Sequence, residues 1–181
     1  MIETERLTLR PWRLSDAEAL YEVAKDPRVG SQAGWPPHTS VEESREIIKG
    51  VFMHEGIYAV CEKGTNRVIG CVGLVLGETS NFKLPPAEGE LAYWMGVPYW
   101  EHGYTTEACQ ALMQWGFETL GLEKIWAGAF LENIASIRVQ EKCGMTLDRV
   151  NEQSLWAQSA EEQQKKEAVR CITRARWHEL S

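Results

Sequence analysis

At 181 residues the chain has the length of one domain, against a usual size of roughly 100 to 200 residues. Hydrophobic residues make up 44% and charged residues 25%, which excludes wholesale disorder and collagen-like structure. The formal net charge of −7 opposes a general affinity for phosphate backbones, so no nucleic-acid partner is expected and a cationic one fits better.

Alternation from Leu7 to Trp12 predicts a first strand, with Leu7, Leu9 and Pro11 on one face and Thr8, Arg10 and Trp12 on the other. Ser15 and Glu18 have capping-box spacing ahead of the stripe Leu20, Val23 and Ala24, a helix that Asp26-Pro27 stops. Ser40 and Glu43 repeat the pattern ahead of Ile47, Ile48, Val51 and Phe52, up to Gly56. Between the two, Gly34-Trp35-Pro36-Pro37-His38 reads as a stiff loop that connects helices or lines a site. Ile57 to Glu62 and Val68 to Leu76 are apolar, β-branched runs around a polar turn, an antiparallel hairpin. After a loop from Gly77 to Ala87, Glu88 to Val97 alternates as a strand until Pro98, with Gly96 fit for a bulge. Thr105 to Leu120 is the main helix, closed by Gly121. A strand over Lys124 to Phe130, a short helix over Ile134 to Cys143 capped by Gly144, and a strand over Met145 to Val150 follow. A polar stretch, Ser159 to Glu167, reads as a solvated loop or helix end before a last strand from Ala168 to Arg174. An antiparallel first half with a strand, helix, strand crossover in the second predicts an α/β or α+β sheet covered by helices. Neither a repeat nor a linker interrupts it, so residues 1–181 are expected to form a single domain.

Cys61, Cys71, Cys109, Cys143 and Cys171 are odd in number and lack zinc-site spacing, so they are read as reduced, mostly buried thiols and no metal is expected. The polar, acidic start lacks the pattern of a signal peptide, and the longest apolar run, Val68 to Gly77, is too short to span a bilayer. A cytoplasmic protein without a membrane partner is expected. The eight Trp are read as core or pocket wall.

The strongest local signal is the strand-loop-helix stretch from Trp94 to Ala108. Free amides at a helix start beside Gly103 suit a pyrophosphate, and an ordinary helix start capped by Thr105 or Thr106 is the alternative. Neither a Gly-Lys-Ser/Thr loop nor a three-glycine fingerprint is present. Asn133 and Ser136, three apart at a helix start, read structurally as a cap and an N3 residue. Glu90 on its strand reads as a base or a surface carboxylate, and His38, His54 and His178 fall on no motif and are expected to be structural.

Taken together, Glu5-Arg6-Leu7-Thr8-Leu9-Arg10-Pro11, Glu90-Leu91-Ala92-Tyr93-Trp94, His102 to Ala108, Asn133-Ile134-Ala135-Ser136 and Glu141 to Met145 resemble the GNAT superfamily of N-acetyltransferases. Within it the chain is similar to the branch of bacterial ribosomal-protein alanine N-acetyltransferases. The resemblance implies a mixed, mostly antiparallel sheet of six to seven strands with a splayed parallel pair, flanked by helices. It implies acetyl-CoA as cosubstrate, with pantetheine against Met95, Gly96 and Val97. Pyrophosphate contacts fall on the backbone of Glu101, His102, Gly103, Tyr104 and Thr105, with Thr106 adjoining and Asn133 touching the CoA arm. Here Trp100 replaces the family's Gln or Arg, Thr105 the small final residue, and Glu101 stands where the branch commonly has glycine, an acidic group beside a pyrophosphate.

Attack of a neutral amine on a thioester needs a base, an oxyanion donor and a proton donor for the thiolate. The resemblance gives these to Glu90, to a backbone amide near Met95 to Val97, and to Ser136. The implied acceptor is a primary amine, a protein N-terminus, with a polyamine or antibiotic as the alternative and a non-catalytic acyl-CoA-binding module as the third reading. A monomer and a homodimer are both compatible.

Overall fold

The computed structural model describes residues 1–181. Eight strands form one sheet: β1 (Ile2–Glu3), β2 (Leu7–Pro11), β3 (Ile57–Glu62), β4 (Val68–Leu76), β5 (Glu88–Met95), β6 (Lys124–Phe130), β7 (Thr146–Asn151) and β8 (Glu167–Thr173). Their order is β1-β2-β3-β4-β5-β6-β8-β7, and every neighbouring pair is antiparallel except β5 and β6. Seven helices cover it: α1 (Ala17–Ala24), α2 (Pro27–Ala33), α3 (Val41–Ile47), α4 (Tyr104–Glu118), α5 (Ile134–Lys142), α6 (Ala160–Gln163) and α7 (Arg174–Leu180). None of them is long and apolar enough to cross a membrane.

The sheet separates two apolar layers, as period-two alternation requires. On one face Leu7, Leu9, Val72, Leu91 and Met95 meet Leu112, Met113 and Phe117 of α4. On the other, Ala59, Cys61, Val68 and Cys71 meet Trp12, Leu20, Ala24 and Ile48 from the helical first quarter of the chain. The right-handed β5-α4-β6 crossover expected of a parallel pair links the two halves of the sheet.

Several elements differ from the sequence reading. The sheet has one strand more than six or seven, because the two residues of β1 pair with Thr8 and Leu9 of β2. Arg10, read on the face of β2 that carries Thr8 and Trp12, is buried there by a two-pronged ion pair with Asp16 at 2.8 and 2.9 Å and a bond to Asn66. Asp16 also accepts from the amide of Arg13, so it and not Ser15 closes the turn ahead of α1, and the Ser15–Glu18 box does not form. Asp26-Pro27 does end α1, yet it also begins α2: Asp26 accepts from the amide of Arg28 and Pro27 takes the first helical position. Only half of the Ser40–Glu43 box is made, since the Glu43 carboxylate turns to Thr39. The polar stretch contains α6, capped by Ser159. α7 follows β8 without a break, capped by Thr173, and places Trp177 against Phe117.

The bulge expected at Gly96 is absent. The β4–β5 register runs unshifted from Gly70 with Met95 to Leu76 with Gly89. Gly96 lies where a Cβ would come within 2.9 Å of Val23 and 3.2 Å of the Ile69 carbonyl, so its small size serves the close approach of α1.

Candidate active site

β5 and β6 pair only from Glu88 to Glu90 with Lys124 to Trp126. Beyond Glu90 the strands diverge, and the backbone of β5 that faces β6 has no ladder partner. The Gly96 amide donates to Ile69 at 2.8 Å, so it belongs to the β4 side. By alternation, the amides of Tyr93 and Met95 point into the gap, and the Met95 carbonyl there accepts from the indole of Trp100 at 2.7 Å. The oxyanion role expected near Met95 to Val97 therefore cannot fall to the amide of Gly96.

Two cavities of about 380 Å³ each open on this gap and share Gln32, Ala33, Tyr93, Trp94 and Ser136. The first runs between β5, the start of α4 and α5. It brings together Met95, Glu101, Gly103, Tyr104, Thr105, Thr106, Asn133 and Ser136, with Arg138 and Lys142 at its α5 wall. Gly96, Val97 and His102 are not on its lining. The start of α4 carries no side-chain cap at Gly103, so the first amides of a 15-residue helix are available to an anion. Glu101 and Gly103 both have positive φ, +63° and +78°, which turns successive amides of the loop toward one side. That backbone requirement explains why glycine is common at the position Glu101 occupies.

The loop is braced from behind. Arg6 donates to the His102 carbonyl at 2.7 Å and to Glu107 at 2.7 Å, and Thr4 and the Arg6 amide also bond Glu107. His102 stacks on Tyr104 with centroids 5.6 Å apart, outside the cleft.

The second cavity lies on the opposite side of the sheet and holds Glu90, only 4% exposed. Its carboxylate accepts from the Asn81 amide at 2.7 Å and from Asn81 Nδ2 at 3.0 Å. Burial pushes the Glu90 pKa up, the two Asn81 bonds pull it back in part, and Glu167 nearby adds to the rise. This is the state of a carboxylate prepared to take a proton, and it rules out the reading of Glu90 as a surface carboxylate.

At the junction of the cavities the Tyr93 and Ser136 hydroxyls lie 2.6 Å apart. Gln140 Nε2 donates to Tyr93 Oη at 3.1 Å and to the Gly128 carbonyl at 3.2 Å, and burial raises the Tyr93 phenol. Asn133 caps α5 by accepting from the Ser136 amide at 3.1 Å. Its side-chain oxygen is thus committed to the helix, while the Ser136 hydroxyl is free to face the cleft.

His38 is buried against Ser44 at 2.8 Å and its pKa is lowered by burial, His54 bonds the Gly50 carbonyl, and His178 packs on Trp177. None lines either cavity. Cys61, Cys71, Cys109 and Cys143 are buried and Cys171 half-buried, all as free thiols. Tyr93, Asn81, Gln140 and Trp156 were not singled out by sequence. Tyr93 lies inside the Glu90 to Trp94 segment, so a signal existed for it alone.

The description "Acetyltransferase (GNAT) domain" matches residues 6–146, and the chain belongs to this family. The chain is 33% identical over 141 residues to the uncharacterized N-acetyltransferase p20 of Bacillus licheniformis, covering 75% of this chain and 76% of that protein. Among solved structures it is similar to the GNAT-family acetyltransferase from Bacillus anthracis, with a TM-score of 0.82, 25% identity, and 96% and 98% of the two chains covered. It also shares its fold with the spermidine N-acetyltransferase from Vibrio cholerae in complex with CoA and spermine, at a TM-score of 0.76 and 16% identity over 97% and 99% of the chains. The α+β architecture with one parallel strand pair is the GNAT fold, and the protein is an N-acetyltransferase of that family, which uses acetyl-CoA and an amine acceptor.

Proposed function

We propose that this enzyme acetylates a primary amine by direct transfer, with Glu90 as base, Ser136 as proton donor to the thiolate, and the α-amine at the N-terminus of a peptide as acceptor. The observation that carries this reading is the meeting of the two cavities at the Tyr93–Ser136 pair, with a buried carboxylate in one and uncapped helix amides at the mouth of the other. The ammonium passes one proton to Glu90, directly or through a water. The neutral nitrogen then bonds to the thioester carbon, the C–S bond breaks, the second proton of the nitrogen leaves to water, and the sulfur takes a proton from Ser136, whose hydroxyl is reprotonated from solvent, directly or by relay through Tyr93. The balance is one amide and one thiol formed, with one proton released to water.

The amide of Met95, within the expected Met95 to Val97 stretch, is the oxyanion donor in this scheme. The backbone from Glu101 to Thr105, with Thr106, holds the pyrophosphate, and Arg138 and Lys142 add positive charge beside it. The motifs shared with the ribosomal-protein branch favour a protein N-terminus. The modest volume of about 380 Å³ favours the second reading, a free small amine.

Glu90→Gln tests the mechanism. It is expected to lower kcat by about 10²-fold or more, with calorimetric acetyl-CoA affinity unchanged, because the base acts on the amine. In the wild type, kcat/KM should rise with pH through an inflection above the ordinary carboxylate range, following the upward shift of Glu90, and this inflection should vanish in the Gln variant. Unchanged turnover removes Glu90 from the chemistry.

A further inference from the structure

Building on the reading that Glu90 receives the acceptor amine, we propose that the acceptor is a monocationic amine with a neutral oxygen acceptor on a compact apolar body, held between the Glu90 carboxylate and the indole N–H of Trp156. The first residue of a peptide and a free amino amide share this chemistry.

Charge is the first ground. Glu90 is the one carboxyl on the wall, and no Lys, Arg or His lines it. Cys71 and Tyr93 also line it, but burial pushes the Cys71 thiol up to about 12 and raises the Tyr93 phenol as well. One carboxylate matches one ammonium. A second ammonium inside the cavity would lose its water against Trp35, Phe52 and Trp94 without a counter-charge. Those rings pack on one another, with centroids 5.7 Å apart for Trp35 and Trp94 and 6.2 Å for Phe52 and Trp94, and form a stiff apolar wall.

The second ground is a donor without a partner. Trp156 Nε1 is buried and bonds nothing in the chain. It lies across Gly128, where a Cβ would come within 2.7 Å of it, and both residues line the cavity. A buried N–H left unpaired is costly, and an oxygen on the ligand removes that cost. Gly128 is the next same-face residue after Trp126, the register partner of Glu90. The donor therefore stands about one pleat repeat along the sheet and one strand across from Glu90, roughly 8 Å or somewhat more where the strands part, within reach of one small molecule.

The indole is also held in place. Trp156 packs on Phe130 with ring centroids 4.4 Å apart and planes tilted by 40°, closes on Gly34, where a Cβ would meet it at 2.8 Å, and its loop is tied there by the Gln158 amide bonding the Gly34 carbonyl at 2.8 Å. A fixed donor opposite a fixed carboxylate selects by geometry as well as by charge.

Acetyl transfer, read by product mass, and calorimetric binding are measured for L-phenylalaninamide, a Phe-Ala-Ala peptide, 1-phenylpropan-2-amine, which lacks the oxygen, and spermidine. Each is tried on the wild type and on Trp156→Phe, which keeps an aromatic ring there, though a smaller one, and removes the N–H. The amide is expected to exceed the oxygen-free amine and spermidine by about tenfold in kcat/KM, and Trp156→Phe to cancel its advantage over the oxygen-free amine. The peptide against the free amide then distinguishes the two sources. Spermidine matching or exceeding the amide, through cation–π contact with the rings, overturns the proposal, as does a Trp156→Phe loss shared equally by both aromatic amines. If no amine is acetylated, the affinities decide: the same order upholds this inference while the transfer reading fails, and a reversed or flat order overturns it.

Discussion

Glu101 combines two unfavourable features at one position of the phosphate-facing loop. Its φ of +63° is a left-handed conformation that costs an L-residue about 1 kcal/mol or more, and the residue lines the cleft proposed for acetyl-CoA, where its negative charge would oppose a pyrophosphate. Glycine removes both. Glu101→Gly is expected to raise stability by about 1 kcal/mol in urea unfolding and to tighten acetyl-CoA binding in calorimetry. Tighter binding without a stability gain would assign the effect to charge alone, and weaker binding would show that the Glu101 side chain holds part of the ligand or the loop. Arg6, by contrast, contributes from outside the cleft: its bonds to the His102 carbonyl and to Glu107 fix the loop from behind. The opening Glu5-Arg6-Leu7 was legible as a motif, whereas this bracing was not, because it joins residues about a hundred positions apart.

Helix α5 shows how a structural and a chemical role can be separated within one turn. Asn133 accepts from the backbone amide of residue 136, which any side chain there would supply, while the Ser136 hydroxyl points to Tyr93. Ser136→Ala should therefore leave the helix cap intact and shift the unfolding midpoint little, yet lower kcat. Asn133→Ala should cost about 1 kcal/mol of stability as the cap is lost. Equal stability losses in the two variants would contradict this division of labour. The same logic explains which elements were readable in advance. The β3–β4 hairpin was read with its observed bounds because dense β-branched runs flank a polar turn. α2 was missed because Asp26-Pro27 was read only as a stop, although the pair also satisfies the start of the next helix. β1 has too few residues for any period, and α7 follows β8 with no glycine or proline to mark the change. Glu90, Ser136 and the helix start lay on contiguous motifs. Asn81, Gln140 and Trp156 reach the site only through tertiary packing, which no local spacing records.

At the scale of the molecule, the parting of β5 and β6 divides the sheet into β1–β5, backed by α1 to α4, and β6–β8, backed by α5 and α7. Strand pairing between these halves is confined to the short parallel segment, reinforced by the Glu123 amide bonding the Ala87 carbonyl at 2.8 Å, the Trp126 indole bonding Glu88 at 2.6 Å and the Gln158 amide bonding the Gly34 carbonyl at 2.8 Å. The cleft proposed for acetyl-CoA lies along the parting, with walls from β5 and the start of α4 on one half and from α5 on the other. A ligand seated there touches both halves and binds only when they are assembled, so its binding energy adds to the stability of the whole fold. Acetyl-CoA at about a hundred times its dissociation constant should add about 2.7 kcal/mol, which for a domain of this size is a rise of roughly 5 to 10 °C in melting temperature. The gain should appear as one shifted transition, because each half lacks a cleft without the other. Two transitions, with only one responding to acetyl-CoA, would place the binding energy in a single half and refute the bridging role of the ligand.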